Sequence, residues 1–524
     1  MSTLLIKKKD RENIKWSLFL IVILGIALRI PGVFNGLPDF IQIDEGLVNT
    51  IILDLHIYDL NPHDFIYPGL IYYIFLPVFT FFKFVIFPHM INLSNLGPFY
   101  SYVLIGRVFI AILGVSNILL FYVIGKRLFN SYTGLVAALF LAIDPMSIAW
   151  SFIFKPDMLM STLVLTAFLF ICKLYNTDEV RKNDYILIGL FIGLAAAAKY
   201  NAILIIVPFI WAHFLVLRNK ADFINKNFFL TLFYVCLIFF IFNPFILLDF
   251  SNFLKNIKSE LYTAIGGFYL NPATNKQGWF NYLVVLGNVL GGGVLILSIC
   301  GFILSIWRHA KRDILILAFP LVYYIIMGAF KNNPAHYLLP IIPFILLLAA
   351  QFLMSLIQLI NQSKLFEKIR YGVIGLIILG FILPTICKSV YYVRWINQKD
   401  TRILARDWMQ DSVHPDSRLL MDGLGNEFPF VFPEVKTPYN IEIIRWGKKI
   451  DYQALLDKNR FDFIIINYTE NRPKDIQPLY DFIDQRFPLI KRFESNISRP
   501  AASFMYSPLY HPTIIIYDGR RQKI

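Results

Sequence analysis

The sequence predicts an all-α polytopic membrane protein of about eleven transmembrane helices, with a small extracytoplasmic α/β domain at its C-terminal end. Three observations carry that prediction. The 524 residues are 57% hydrophobic and only 16% charged, with 50 Phe. Apolar runs of about 17–25 residues recur, the length that a bilayer core of roughly 30 Å demands. After Tyr392 the composition turns polar and short apolar runs alternate with helix-like stretches.

The elements follow in order. Lys7, Lys8, Lys9, Arg11 and Lys15 place the N-terminus in the cytoplasm by the positive-inside rule. The first span, about 16–31, has no small-residue cleavage site after it and reads as an uncleaved anchor. The segment 34–70 carries six acids (Asp39, Asp44, Glu45, Asp54, Asp59, Asp64) and no Lys or Arg, so it reads as an outer loop. The apolar stretch 69–87 decides the topology. If it crosses, Lys126-Arg127, Arg181-Lys182 and Arg308 to Arg312 all fall outside; if it lies in the outer interface, all fall inside. Pro77, Lys83 and Pro88 interrupt it, so it is read as one or two interfacial helices. The first outer loop then runs over 34–98. Further spans are expected at about 100–125, 133–150, 158–174, 185–198, 201–217, 228–249, 281–307, 314–330, 337–359 and 371–391.

Residues 1–392 therefore form the membrane domain, and an odd number of spans sends 393–524 outside. In that second domain, helix-like runs at Arg402–Gln410, Tyr452–Lys458 and Ile476–Phe487 alternate with strand-like runs at Leu419–Met421, Phe461–Asn467 and Thr513–Tyr517. A multi-pass protein of the cell membrane is implied.

The net charge of +14 does not argue for nucleic acid, because most Lys and Arg sit in short loops between apolar runs. There they act as topology signals and contacts to anionic headgroups. Cys172, Cys236, Cys300 and Cys387 lie in or at the ends of apolar runs, with no CxxC and no disulfide framework.

Candidate site residues gather where spans are expected to end on the outer side. Asp44 and Glu45 follow the first span, and Asp157 opens the fourth. Lys199 sits in the turn Ala198-Lys199-Tyr200-Asn201, and His336-Tyr337 precede the tenth span. Arg107 lies in the outer third of the second. Ionisable groups at membrane depth are costly, so each raises a functional hypothesis. Each also has a plain structural reading. Asp44-Glu45 could be solvated acids or a helix cap near Gly46. Asp157 could offset a helix dipole, and Lys199 could snorkel to headgroups. Arg107 could partner a loop acid, and His336 could be a surface histidine.

The arrangement resembles the GT-C fold of polyprenyl-phosphate-sugar-dependent glycosyltransferases, among them protein O-mannosyltransferases and the aminoarabinose transferases of lipid A. The resembling marks are Asp44-Glu45, the segment Tyr67-Pro68-Gly69-Leu70-Ile71-Tyr72-Tyr73, Gly106-Arg107-Val108, Lys155-Pro156-Asp157-Met158-Leu159, the Ala-rich turn ending at Lys199-Tyr200, and His336-Tyr337-Leu338-Leu339-Pro340. Two marks depart from the family: Pro-Pro is Pro68-Gly69 here, and an Arg that often precedes the late Tyr is His336, a weaker anion holder.

The resemblance implies transfer of a sugar from a polyprenyl-phosphate donor to a hydroxyl of a protein, lipid or glycan acceptor, with inversion. Asp44 maps to the general base, with Glu45 and Asp157 beside it in the catalytic set. Lys199, Arg107, His336 and Tyr337 map to the donor phosphate. No cofactor is implied. A divalent cation on Asp44, Glu45 and Asp157 is conceivable but not favoured. A transporter or lipid flippase is the main competing expectation, since buried charges also mark substrate paths, although no inverted repeat is found. A receptor or scaffold binding through its outer domain is a second.

Overall fold

The computed structural model describes residues 8–37, 43–56, 58–86, 98–176, 181–217, 224–266, 278–331, 334–363, 369–421, 439–444, 456, 460–468, 477–496 and 512–521. The chain is a polytopic membrane protein. Among the described residues, five helical segments are long and apolar enough to cross a bilayer, and shorter apolar helices accompany them.

Helix α1 (Lys8–Val33) is followed by α2 (Ile43–Asp54) and α3 (Leu70–Phe81). The helical path of α3 passes through Pro77 and continues as a π-helical turn over Phe82–Ile86, burying Leu70, Ile71, Tyr72, Phe75 and Phe79. Next come α4 (Pro98–Leu128), α5 (Ser131–Ile143), α6 (Pro145–Ala149) and α7 (Pro156–Tyr175). Helix α5 starts where the Asn130 side chain accepts from the N–H groups of Tyr132 and Thr133. Its C-terminal carbonyls at Leu141 and Ala142 are met by the buried guanidinium of Arg29 on α1, at 3.1 and 2.9 Å. A cation there suits the negative end of the helix dipole.

Helices α8 (Lys182–Ala198), α9 (Ile206–Val216) and α10 (Lys226–Ile241) complete the first half, with a 3-10 turn over Tyr200–Ile205 between α8 and α9. Glycines at 189 and 193 let α8 lie directly on the backbone of α10. Short α11 (Phe245–Leu248) leads into the amphipathic α12 (Phe250–Gly266).

The expected span 281–307 is instead two helices, α13 (Gly278–Leu290) and α14 (Gly292–Arg308). The break is at Gly291, where φ is +74°, a left-handed conformation that only glycine adopts without strain. Helices α15 (Lys311–Gly328), α16 (Ile342–Gln362) and α17 (Arg370–Ile396) follow, and Thr385 of α17 donates to the carbonyl of Leu290 at the break (2.8 Å). Of the other expected spans, 133–150 is divided between α5 and α6 and 228–249 between α10 and α11, those at 201–217 and 337–359 begin in 3-10 turns, and the rest each fall on one helix.

After α17 come α18 (Thr401–Ser412), strands β1 (Arg418–Met421), β2 (Asn440–Ile443) and β3 (Phe463–Tyr468), α19 (Gln477–Arg486), β4 (Leu489–Phe493) and β5 (Thr513–Asp518). The sheet order is β2-β1-β3-β5-β4, parallel over β2-β1-β3 and antiparallel at β5 with both β3 and β4. Helix α18 packs on one face with Ala405 and Met409, and α19 on the other with Leu479, Tyr480 and Ile483. The helix expected over 452–458 lies outside the described residues, apart from Leu456.

Candidate active site

Between α6 and α7 the chain runs as an irregular segment, Trp150 to Lys155, and every residue of it is buried. Buried irregular backbone requires partners for its polar groups. Arg29 Nε donates to Ser151 Oγ at 3.1 Å, and the N–H of Phe154 donates to Glu45 Oε1 at 2.6 Å. Pro156 then occupies the first helical position of α7, where its missing N–H costs nothing. Asp157 falls in the first turn, favoured there by the helix dipole.

Glu45 lies in the first turn of α2 and is fully buried. Arg107 of α4 grips it from both sides: Nε donates to Oε1 at 2.9 Å and Nη2 to Oε2 at 2.6 Å. The remaining guanidinium nitrogen, Nη1, donates to the carbonyls of Val33 (3.2 Å) and Asn35 (2.6 Å). One bidentate pair thus ties the end of α1, the start of α2, the middle of the membrane domain and the loop before α7. Gly106 makes room for it, because a Cβ there would enter the ring of Phe154. Asp44 stands next to Glu45 in the same first turn of α2; its side chain lies outside the described residues.

A second cluster surrounds Asp157, which is also fully buried. Helices α7 and α8 pack side by side, which brings the start of α7 to the end of α8. Lys199, the residue closing α8, donates from Nζ to Asp157 Oδ1 at 2.5 Å. His336 Nε2 lies 3.9 Å from the same oxygen. Aromatic rings wall this cluster. Lys199 Nζ sits 4.6 Å from the ring centre of Tyr337, and His336 stacks on Trp150 with centroids 4.4 Å apart. Lys155 Nζ lies between Tyr67 and Trp150, at 5.7 and 5.4 Å from their ring centres. Rings of this kind attract cations with their faces while excluding water.

Polar groups of neighbouring elements border the cluster. Tyr200 donates to the carbonyl of Phe65 at 3.1 Å, and Asn201 to the hydroxyl of Tyr323 at 2.8 Å. Glu260 of α12 has its carboxyl held above the ordinary glutamate value, by partial burial first and by Asp64 second, with Lys199 pulling the other way.

The geometry sorts the sequence-derived residues into two groups. Asp157, Lys199, His336 and Tyr337 meet around one carboxylate. Glu45 and Arg107 meet each other, so the partnering of Arg107 with a loop acid is what its contacts present. Lys155 was passed over at the sequence level, where it served only as part of a motif. Its signal was the Lys-Pro-Asp order, which puts a cation beside a helix-starting acid. Arg29 gave no signal beyond being an arginine inside an apolar run.

Of the carboxylates considered for a divalent cation, two already have cationic partners, and the side chain of the third, Asp44, lies outside the described residues. Glu45 is engaged by Arg107 and Asp157 by Lys199, and among the described residues no group of three or more His, Cys, Asp and Glu is gathered as a ligand set.

Solved structures share this architecture. The Archaeoglobus fulgidus oligosaccharyltransferase AglB, in complex with an inhibitory peptide and a dolichol-phosphate, is 12% identical, with a TM-score of 0.54 over 88% of this chain and 70% of that one. ArnT from Cupriavidus metallidurans, bound to undecaprenyl phosphate, is 10% identical, with a TM-score of 0.51 over 95% of this chain and 97% of that one. The chain therefore shares the GT-C fold of these two proteins. Residues 103–247 match the model of the dolichyl-phosphate-mannose-protein mannosyltransferase family, and that segment carries Arg107, Lys155, Asp157 and Lys199. A search of curated protein sequences finds no match.

Proposed function

We propose that this protein is an inverting membrane glycosyltransferase. It moves a sugar from a polyprenyl-phosphate donor to a hydroxyl of a protein, lipid or glycan acceptor. The observation that carries this reading is the cluster of Lys199, His336 and Tyr337 around Asp157, walled by aromatic rings, within a fold shared with AglB and ArnT. In that cluster Lys199 and His336 face the phosphate as it leaves with growing negative charge, and Tyr337 supplies a hydroxyl donor. Lys155, between its two rings, adds a second ammonium at the same place. Asp157 fixes the Lys199 ammonium, so the donor phosphate meets an ammonium already in position.

Asp44 takes the acceptor proton. Glu45 serves it indirectly: with Arg107 and the Phe154 N–H it locks the first turn of α2, and with it the backbone from which Asp44 projects. Both carboxylates thus have distinct duties, one chemical and one positional. The shared fold gives the transporter reading no comparable support.

In this reading the protein spans the cell membrane with its N-terminus in the cytoplasm. Residues 69–87 stay in the outer interface, and 393–524 form the extracytoplasmic domain. A tag inserted near Leu128 is then unreachable from outside intact cells. The chemistry is tested by reconstituting the wild-type chain and Asp44→Asn with polyprenyl-phosphate sugars. The variant retains donor binding and loses transfer; full transfer by it removes Asp44 as the base.

A further inference from the structure

Among the described residues, helix α12 is attached along one side. Phe253 packs edge-to-face on Phe65 (5.9 Å) and on Tyr200 (6.5 Å). Just before its N-terminus, Asp249 accepts from Asn61 (2.8 Å) and Asn252 (3.0 Å), and near its C-terminal end the carbonyl of Ala264 accepts from the N–H of Lys331 (3.0 Å). The helix is thus held at both ends, on the same side of the molecule as Asp157.

Its other apolar residues are not used in that attachment. Phe250 (55% exposed), Leu254 (38%), Leu261 (47%) and Ile265 (54%) stand open. At 3.6 residues per turn these four fall within about 60° of one another. Leu247 and Leu248, in the preceding turn, are exposed as well. Lys258, Tyr262 and Lys255, all exposed, border this strip along one edge, while Asn252, Asn256, Ser259 and Thr263 occupy the opposite face. An apolar strip edged by lysines and a tyrosine, backed by uncharged polar residues, has the charge and polarity order of a helix lying in a headgroup layer. Its length and mixed face do not suit a span.

We infer that α12 lies in the bilayer surface on the Asp157 side, apolar strip downward, with Lys255 and Lys258 on the phosphates of anionic lipids. The membrane then holds the helix that brings Glu260 near Lys199, and the roof of the site is completed by lipid as well as by protein. This inference concerns the placement of α12 and holds whichever sugar or acceptor is used.

The test uses the full chain with Cys236 and Cys387, which are exposed, and Cys300, which is partly exposed, replaced by Ala; Cys172 is buried. A nitroxide is attached in turn at Leu254→Cys, Leu261→Cys and Ser259→Cys, in phosphatidylcholine vesicles with and without phosphatidylglycerol. Labels at 254 and 261 collide preferentially with oxygen and the label at 259 with a water-soluble nickel complex. Adding phosphatidylglycerol shifts 254 and 261 deeper, and Lys255→Gln/Lys258→Gln abolishes that shift. Equal nickel accessibility at all three positions overturns the interfacial placement. Unchanged depth on adding phosphatidylglycerol overturns the role of the two lysines.

Discussion

The Glu45–Arg107 pair offers the sharpest perturbation. Arg107→Met keeps an unbranched side chain of similar reach on α4 but removes four hydrogen bonds: two to Glu45, and one each to Val33 and Asn35. Glu45 would be left as a fully buried carboxylate with the Phe154 N–H as its remaining partner from this set. Stranding one member of a buried ion pair costs about 3–5 kcal/mol. Glu45→Gln alone strands the guanidinium and costs a similar ~3–5 kcal/mol. The double variant removes both charges, and such replacements are often near neutral, so its cost falls below the sum of the singles by about 3 kcal/mol or more. Unfolding of all four chains in mixed micelles, followed by intrinsic fluorescence, gives this coupling directly. Transfer assays on the same samples separate stability from chemistry: the double variant recovers most of its stability but not its rate, because Asp44 loses its fixed neighbour. A coupling under about 1 kcal/mol, the range of exposed pairs, would refute the reasoning.

Three further outcomes follow from the same geometry. His336→Phe keeps the stack on Trp150 while His336→Ala gives up about 0.5–1.5 kcal/mol of it; both weaken donor binding, but only the Ala variant lowers the unfolding temperature measurably. Gly106→Ala pushes a Cβ into the Phe154 ring and costs about 1–3 kcal/mol of overpacking, with a loss of transfer as the Phe154 N–H is moved off Glu45. Asp249 is held below the ordinary aspartate value by hydrogen bonds, from Asn61 first and Asn252 second. A depressed carboxyl stabilises above its unfolded pKa of about 3.9 and loses that contribution as pH falls through its folded value. Hydrogen exchange in the segment 58–66 therefore stays slow from neutrality down to about pH 4 and rises below it; in Asp249→Asn it is fast at neutral pH too.

Much of the fold was legible because hydrophobic run length reports on bilayer thickness directly. Strands β3 and β5 were legible as compact β-branched runs, Ile464-Ile465-Ile466 and Ile514-Ile515-Ile516 being buried on both faces, and β1 as the apolar run Leu419-Leu420-Met421. Strands β2 and β4 were not, since Asn440-Ile441-Glu442-Ile443 and Leu489 to Phe493 are the sheet's edges and carry exposed polar side chains. The break at Gly291 opens the triplet Gly291-Gly292-Gly293 inside an apolar run that was long enough to be read as one span. At the site, residue types were readable one by one, but their pairing was not. Glu45 and Arg107 are 62 positions apart, and Asp157 and Lys199 are 42 apart. Which acid meets which base is decided by helix packing, and a list of ionisable residues holds no record of it.

The position of β5 has a consequence for biogenesis. This strand is inserted between β3 and β4, so neither neighbour has its partner until residues 513–518 have been synthesised and delivered. A nascent chain stalled at about residue 500 would present β3 with one open edge and β4 with none of its hydrogen bonds made. Protease resistance of the C-terminal sheet should accordingly arrive late and all at once. A truncation that removes only this strand would leave β2-β1-β3 paired among themselves and β4 with no partner strand.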